Sequence, residues 1–234
     1  MERFRSAPIP PAPEADWSLV PPPRECGEPL VDITGRHPRV RFGAAYLTQG
    51  LPGALERCLV RQGVWERLER AVALLPERYS LLVFDGLRPL AVQKALYGQV
   101  AEVIRQERPG IGALELEMML EEFVEKPLKR AARPVPHTTG GAVDLTLCLD
   151  GAPLEMGTGY DAFTALSHTD WYEGACAPGE EIFRDNRRLL YHVMRQAGFA
   201  SCGCEWWHYG YGERMWAREQ GCAPIYGFCP ECDF

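Results

Sequence analysis

The sequence predicts an α+β fold: a single domain with a central, mostly antiparallel sheet flanked by helices. Three observations carry this expectation. Strand-like and helical segments are both present, but they do not alternate as regular βαβ units. The segment AVDLTLCL (142–149) alternates cleanly, with Val143, Leu145, Leu147 and Leu149 on one face and Ala142, Asp144, Thr146 and Cys148 on the other. The 234-residue chain is also long enough to bury a substantial core.

The elements follow in order. Residues 1–29 hold eight of the 20 prolines. Proline fixes its own φ and lacks an amide donor, so this stretch reads as an extended N-terminal arm, with residues 30–234 as the domain. From Leu55 to Leu75 the apolar residues Leu55, Cys58, Leu59, Val64, Trp65, Leu68, Val72 and Leu75 fall at helical spacing. Gly63 interrupts that pattern, which predicts two helices. SLLVFD (80–85) is a short apolar run typical of a buried strand. After GLRP comes a helix with Val92, Ala95, Leu96, Val100, Val103 and Ile104 inward and Gln, Lys, Glu and Arg opposite. Residues 109–133 read as a solvated helix and connector without chemistry. Asn186 to Gln196 reads as a helix with Gly198 as its C-cap. GFASCGCEWWHYGY then returns to an aromatic, strand-like character.

Composition narrows the function. A net charge of −7 argues against nucleic acid or an acidic membrane as partner. No apolar run approaches the roughly 18 residues that span a bilayer. MERFRSAPIPPAPEADW has no apolar segment behind its basic residues, so no secretory signal is read there and a cytoplasmic location is expected. Nine cysteines cannot all pair within one chain, and we read them as mostly reduced thiols.

Three anomalies point to chemistry. Asp144 interrupts an aliphatic strand, where an unpaired carboxylate would cost several kcal/mol to bury. His137 lies seven residues earlier in PHTTGGAVD, and the two glycines would bend the chain so that it folds back beside Asp144. The plainer alternative leaves His137 on a loop surface and Asp144 capping a turn. Glu205 and His208 form E-x-x-H among Trp206, Trp207, Tyr209 and Tyr211. They act together only across a turn or bulge, and the alternative is an aromatic strand with polar edges. Arg88 stands at a strand-to-helix junction suited to anions, or else simply pairs with Asp85. Together, His137, Asp144 and His208 supply three ligands for tetrahedral zinc with a position left for water. Glu205 would take the water's proton and Arg88 would stabilise an oxyanion, which amounts to metal-assisted peptide hydrolysis.

HTTGGAVDLTL and EWWHY match H-x-x-G-x-A-x-D and E-x-W-H, and the chain thereby resembles the zinc D-alanyl-D-alanine peptidases. FDGLRPLAVQKALY is similar to Y-D-x-Y-R-P, and MGTGYDAFTALSH to M-G-x-x-F-D…S-H, of the VanX-type D-alanyl-D-alanine dipeptidases in particular. The resemblance runs from about Leu30 to Tyr209. It implies one catalytic Zn2+ on His137, Asp144 and His208, Glu205 as base, Arg88 as transition-state stabiliser, and Asp161 on the ammonium of a small D,D-dipeptide substrate. His168 falls in the matching segment with no role assigned. Pro136, where the family has a small polar residue, and a loosely matching segment around Tyr46 are departures that bear on substrate choice.

Cys202, Cys204, Cys229 and Cys232 form C-x-C and C-x-x-C. We read them as thiols packed near the C-terminus rather than as a second, structural zinc site. His37 and His192 are expected at the surface. Two alternatives to a dipeptidase remain. One is a D,D-carboxypeptidase acting on longer peptidoglycan peptides, and the other is a non-catalytic zinc- or peptide-binding module on the same scaffold.

Overall fold

The structure is a computed structural model that describes residues 1–13, 16–127, 132–174 and 176–232. Its elements in chain order are α1 (Glu2–Ser6), β1 (Leu30–Asp32), β2 (Val40–Phe42), α2 (Ala45–Thr48), β3 (Leu59–Arg61), α3 (Gln62–Ala73), β4 (Tyr79–Asp85) and α4 (Leu90–Glu107). They continue with α5 (Ala113–Phe123), β5 (Ala142–Leu149), β6 (Ala152–Pro153), α6 (Glu181–Ala197), β7 (Ala200–Ser201), β8 (His208–Gly210) and α7 (Arg214–Gln220). The main sheet has the order β2-β4-β5-β8-β7, with β6 paired to β5. Its pairings are antiparallel except β2 with β4. β1 and β3 form a separate antiparallel pair. This is the α+β architecture that the sequence predicts.

The alternation in β5 explains its central place. Val143, Leu145 and Leu147 enter one core with Leu189, Leu190 and Val193 of α6 and Val64, Leu68 and Val72 of α3. Truncating any of these leucines to alanine would cost about 2–5 kcal/mol. The opposite face is buried as well: Asp144 is 1% exposed, and Ala142, Thr146 and Cys148 are buried beside it. A carboxylate in such a place must find partners. Gly198 takes φ 102 and caps α6 in the left-handed region, as expected.

Several elements differ from the sequence reading. Leu55–Leu75 is not two helices: Leu59 lies in β3, and one helix, α3, runs through Gly63. Glycine is required there by packing, because a Cβ would stand 2.7 Å from the Tyr226 hydroxyl. On α4, Val103 is exposed while Gln93 is buried. The 109–133 segment is less solvated than its composition suggests. Leu116 and Leu120 of α5 are buried in a cluster with Leu96, Val100 and Ile104 of α4. Positions 128–131 of that connector lie outside the described residues.

The proline-rich arm begins with a short helix rather than an extended segment. Phe4 of α1 is buried and stacks on His192 of α6. His192 Nε2 also meets the Ala7 carbonyl at 2.9 Å, so this histidine fastens the arm instead of facing solvent. Farther along, the guanidinium groups of Arg214 and Arg218 both lie over the Trp17 ring, at 5.0 and 4.8 Å from its centroid. His37 is half-buried, and its Nδ1 accepts from the Arg39 amide at 3.0 Å.

Candidate active site

Sheet register assembles the site. Asp85 of β4 pairs with Asp144 of β5, and Asp144 pairs with His208 of β8, so three polar side chains lie abreast across adjacent strands. A register shift between Val83 and Asp85 brings Asp85 into that row. Two carboxylates side by side repel, and Arg88 resolves the conflict. Its Nε donates to Asp85 Oδ2 at 2.7 Å and its Nη2 to Asp144 Oδ2 at 2.9 Å. Nη1 donates to Gln93 Oε1 at 3.1 Å, so the fork is held on three sides. Burial works against the Arg88 cation, but Tyr46, Asp85, Tyr160 and Asp144 outweigh it and raise its pKa well above the ordinary value.

His137 arrives from a single 3-10 turn, Pro136–Thr139. Thr138 and Thr139 hydroxyls donate to the carbonyls of Val135 and Pro136, and Gly140 ends the turn at φ 70. That reversal brings His137 back onto Asp144, as the glycines implied. His137 Nδ1 lies 2.8 Å from the Gly86 carbonyl and donates to it, which turns Nε2 inward toward Asp144 and His208.

Three donors then converge. His137 Nε2 is 3.2 Å from Asp144 Oδ1 and 3.1 Å from His208 Nδ1, and His208 Nδ1 is 3.0 Å from Asp144 Oδ1. They are the one group of three or more such residues, among the described residues, whose ligand atoms come close enough to hold a metal ion. A tetrahedral divalent ion with bonds of about 2.0–2.1 Å needs its donors roughly 3.3 Å apart, so the spacing and the N, O, N donor set both fit. Burial would raise the Asp144 pKa, yet the charges and hydrogen bonds of His137 and His208 hold it well below the usual carboxylate range. His208 behaves reciprocally. Burial disfavours its cation, but Asp144 and Glu205 push its pKa up to about 9.

Glu205 sits in the loop between β7 and β8. The turn that the E-x-x-H pair requires is present, since the His208 amide donates to the Glu205 carbonyl at 3.3 Å. Glu205 Oε2 lies 3.8 Å from His208 Nδ1. Burial raises the Glu205 carboxyl to about 8, although 29% of the side chain remains exposed, which softens that push.

Arg88, His137, Asp144, Asp161, Glu205 and His208 all line one cavity of about 480 Å³. Asp161 stands there at φ 57, and its Oδ2 is buried without a hydrogen-bond partner. Burial pushes its pKa up to about 7, with Arg88 opposing and Asp144 reinforcing. The sequence reading missed the far wall: Trp17, Glu121, Val124, Glu125, Lys126, Arg133 and Arg214 line the same space. It also missed Tyr160, whose hydroxyl touches Asp144, and the buried partner Gln93, which had been assigned to the polar face of α4. His168 is exposed on a separate shallow cleft shared with Cys204 and Glu205.

The cysteines divide between two places. Cys202 and Cys204 line the cavity, their sulfurs 3.1 Å apart. Cys229 and Cys232 are buried against Leu87, with Cys232 Sγ donating to the Arg88 and Thr138 carbonyls.

An α+β domain whose sheet and adjoining turn bring two imidazoles and a carboxylate together in one cavity, with a half-buried glutamate beside them, defines a metallopeptidase. Residues 44–224 match the Peptidase_M15 family model, described as D-ala-D-ala dipeptidase, and the chain belongs to that family. It is 31% identical over 228 residues to a D-alanyl-D-alanine dipeptidase of Synechocystis, covering 85% of this chain and 88% of that protein. It is 34% identical over 174 residues to one of Streptomyces coelicolor, covering 70% and 75%. Among solved structures it resembles the zinc complex of the VanY D,D-pentapeptidase E175A mutant at TM-score 0.43 and 15% identity, over 89% of this chain and 97% of that one. No helix among the described residues is long and apolar enough to cross a membrane.

Proposed function

We propose that the protein hydrolyses D-alanyl-D-alanine, or a similar small D,D-dipeptide, to free D-amino acids with one zinc ion on His137, Asp144 and His208. A cytoplasmic location is part of this reading. The observation that carries the substrate assignment is the buried, partnerless Oδ2 of Asp161 inside the cavity that holds the donor cluster. An orphaned carboxylate oxygen in such a place is costly, and a substrate ammonium would satisfy it. A substrate lacking that ammonium would leave it unpaired.

Zinc held there supplies Lewis acidity, polarising the scissile carbonyl and making water a stronger acid. The remaining work falls to the chain. Glu205, its basicity raised by burial, accepts the proton of the attacking water and returns it to the leaving amine. Arg88, locked by Asp85 and Gln93, sets a fixed positive charge on the cavity wall against the oxyanion that develops as the carbonyl is attacked. Asp161 holds the amino end of the substrate and so sets its register against Glu205.

A second reading rests on the size of the cavity. It continues past the donor cluster to Lys126, Arg133 and Arg214, leaving room for longer peptides and a carboxypeptidase activity. One assay separates the two. Metal content is measured, and hydrolysis is followed on D-Ala-D-Ala, on its N-acetylated form and on a longer peptide ending in D-Ala-D-Ala. The dipeptidase reading expects efficient cleavage of the free dipeptide alone. Equal turnover of the longer peptide would transfer the assignment to a carboxypeptidase.

A further inference from the structure

Cys202 and Cys204 form a second chemical feature of the cavity that hydrolysis does not use. They flank Gly203 in the bend that follows β7, and Gly203 has no side chain to separate them. Their sulfurs stand 3.1 Å apart, and both residues line the cavity beside Glu205. Cys204 is exposed and Cys202 half-buried. We propose that Cys202 and Cys204 are a reversible dithiol–disulfide site on the wall of the catalytic cavity, with a hydroperoxide as oxidant and a small dithiol as reductant.

The chemistry balances. The Cys204 thiolate attacks one oxygen of hydrogen peroxide, the O–O bond breaks, and the departing hydroxide takes up a proton to become water. Cys202 sulfur then attacks the sulfenic sulfur, the S–O bond breaks, and a second water leaves with the Cys202 proton. Two thiols lose two protons and two electrons as one peroxide becomes two waters. The sulfurs close to a bond of about 2.05 Å, a shift of roughly 1 Å.

The backbone determines which part of the loop moves. Thr169 Oγ1 donates to the Cys202 carbonyl at 2.6 Å, and the Thr169 amide donates to the Gly203 carbonyl at 2.9 Å. Gly203 is also capped by the N-terminal arm, since a Cβ there would lie 2.4 Å from Ala12 Cβ. On the other side, the Trp206 amide donates to the Ser167 carbonyl at 3.0 Å. Cys204 and Glu205 therefore lie between two anchored points, and closing the disulfide draws Cys204 toward Cys202 and carries Glu205 with it. The effect on rate rests on the reading of Glu205 as the base, whereas formation of the disulfide does not.

The test uses zinc-loaded protein exposed to limiting hydrogen peroxide, quenched with catalase, alkylated with N-ethylmaleimide and digested with trypsin without reduction. Fragment 196–214 contains Cys202 and Cys204 and no other cysteine. The expected result is that this fragment becomes two hydrogens lighter and unalkylated, and that dithiothreitol restores its double alkylation. Dipeptide hydrolysis should fall roughly ten- to a hundredfold in step with that change and return with the reductant. Cys204→Ser should lose the peroxide-dependent fall relative to its own untreated rate, while Cys222→Ser should keep it. A fragment that stays doubly alkylated, or that gains oxygen instead of losing hydrogen, overturns the dithiol site. A disulfide that forms with no change in rate overturns its coupling to Glu205. The mass measurement decides the first point even in a preparation that hydrolyses nothing.

Discussion

Tyr160 donates its hydroxyl to Asp144 Oδ2 across 3.0 Å, on the same oxygen that Arg88 reaches at 2.9 Å. Asp144 thus divides its two oxygens. Oδ2 is held by an arginine and a tyrosine, leaving Oδ1 for the two imidazoles. A carboxylate so fixed cannot rotate freely, which presents one oxygen toward the ion that the donor set fits.

Tyr160→Phe removes one of those two restraints and leaves the ring in place against Phe84 and Trp207. Arg88 still holds Oδ2, so zinc affinity should fall by roughly tenfold rather than vanish. The same hydroxyl also bonds the buried Tyr46 hydroxyl at 2.6 Å, so folding stability should fall by about 1–3 kcal/mol, the net worth of two hydrogen bonds. Chelator competition on the two proteins checks this. Equal zinc affinities would show that Tyr160 does not position Asp144.

Glu205 and His208 are close in sequence but should fail differently. Glu205→Ala should keep its zinc and lose about 10²–10⁴ in kcat, because a general base is removed while the donors remain. His208→Ala should lose zinc, because it removes one of three converging donors. Metal analysis of both variants beside rate measurements makes the comparison. If Glu205→Ala retained wild-type kcat, the base would have to be sought elsewhere on the cavity wall.

The sequence carried this pair and its distant half because both are written in local patterns. A polar residue inside an aliphatic strand, glycines that force a bend, and an E-x-x-H within aromatic residues each have a physical meaning at short range. The supporting residues have none. Gln93 is read with the polar residues of α4 from its side-chain type, and its buried place beside Arg88 is a tertiary fact. Trp17 reaches the cavity through two arginines some 200 residues away in the chain, which no local periodicity records. Gly63 read as a helix break because its reason for being glycine, the Tyr226 hydroxyl, belongs to tertiary packing.

The metal-free protein should lose stability as pH rises from about 6.5 to 9. His208 has a folded pKa of about 9, above its ordinary 6.5. Its contribution is therefore fully present below pH 6.5 and is lost as pH climbs through 9. Glu205 acts in the same direction, because a carboxyl raised to about 8 in the fold makes ionisation costlier there than in the unfolded chain. The melting midpoint of chelator-treated protein, followed across that range, should decline, and His208→Gln should flatten the decline. A midpoint that rises with pH between 6.5 and 9 contradicts the reading.

Asp161 should separate free from blocked substrates. Its Oδ2 is buried without a partner, and its pKa is raised to about 7 by burial against the pull of Arg88. An arriving ammonium would stabilise the carboxylate and return it to the charged state, so substrate binding should be accompanied by proton release near neutral pH. Asp161→Asn keeps the shape but offers no negative charge. Its kcat/KM on D-Ala-D-Ala should fall by roughly 10²-fold or more, the scale of losing a charged hydrogen-bond partner for a buried group, while activity on the N-acetylated dipeptide should hardly change. The discrimination between the two substrates should therefore collapse in the variant. An Asp161→Asn enzyme that still favours the free dipeptide as strongly as the parent would place the ammonium on another acidic residue of the cavity, with Glu121 and Glu125 of the far wall the next to test.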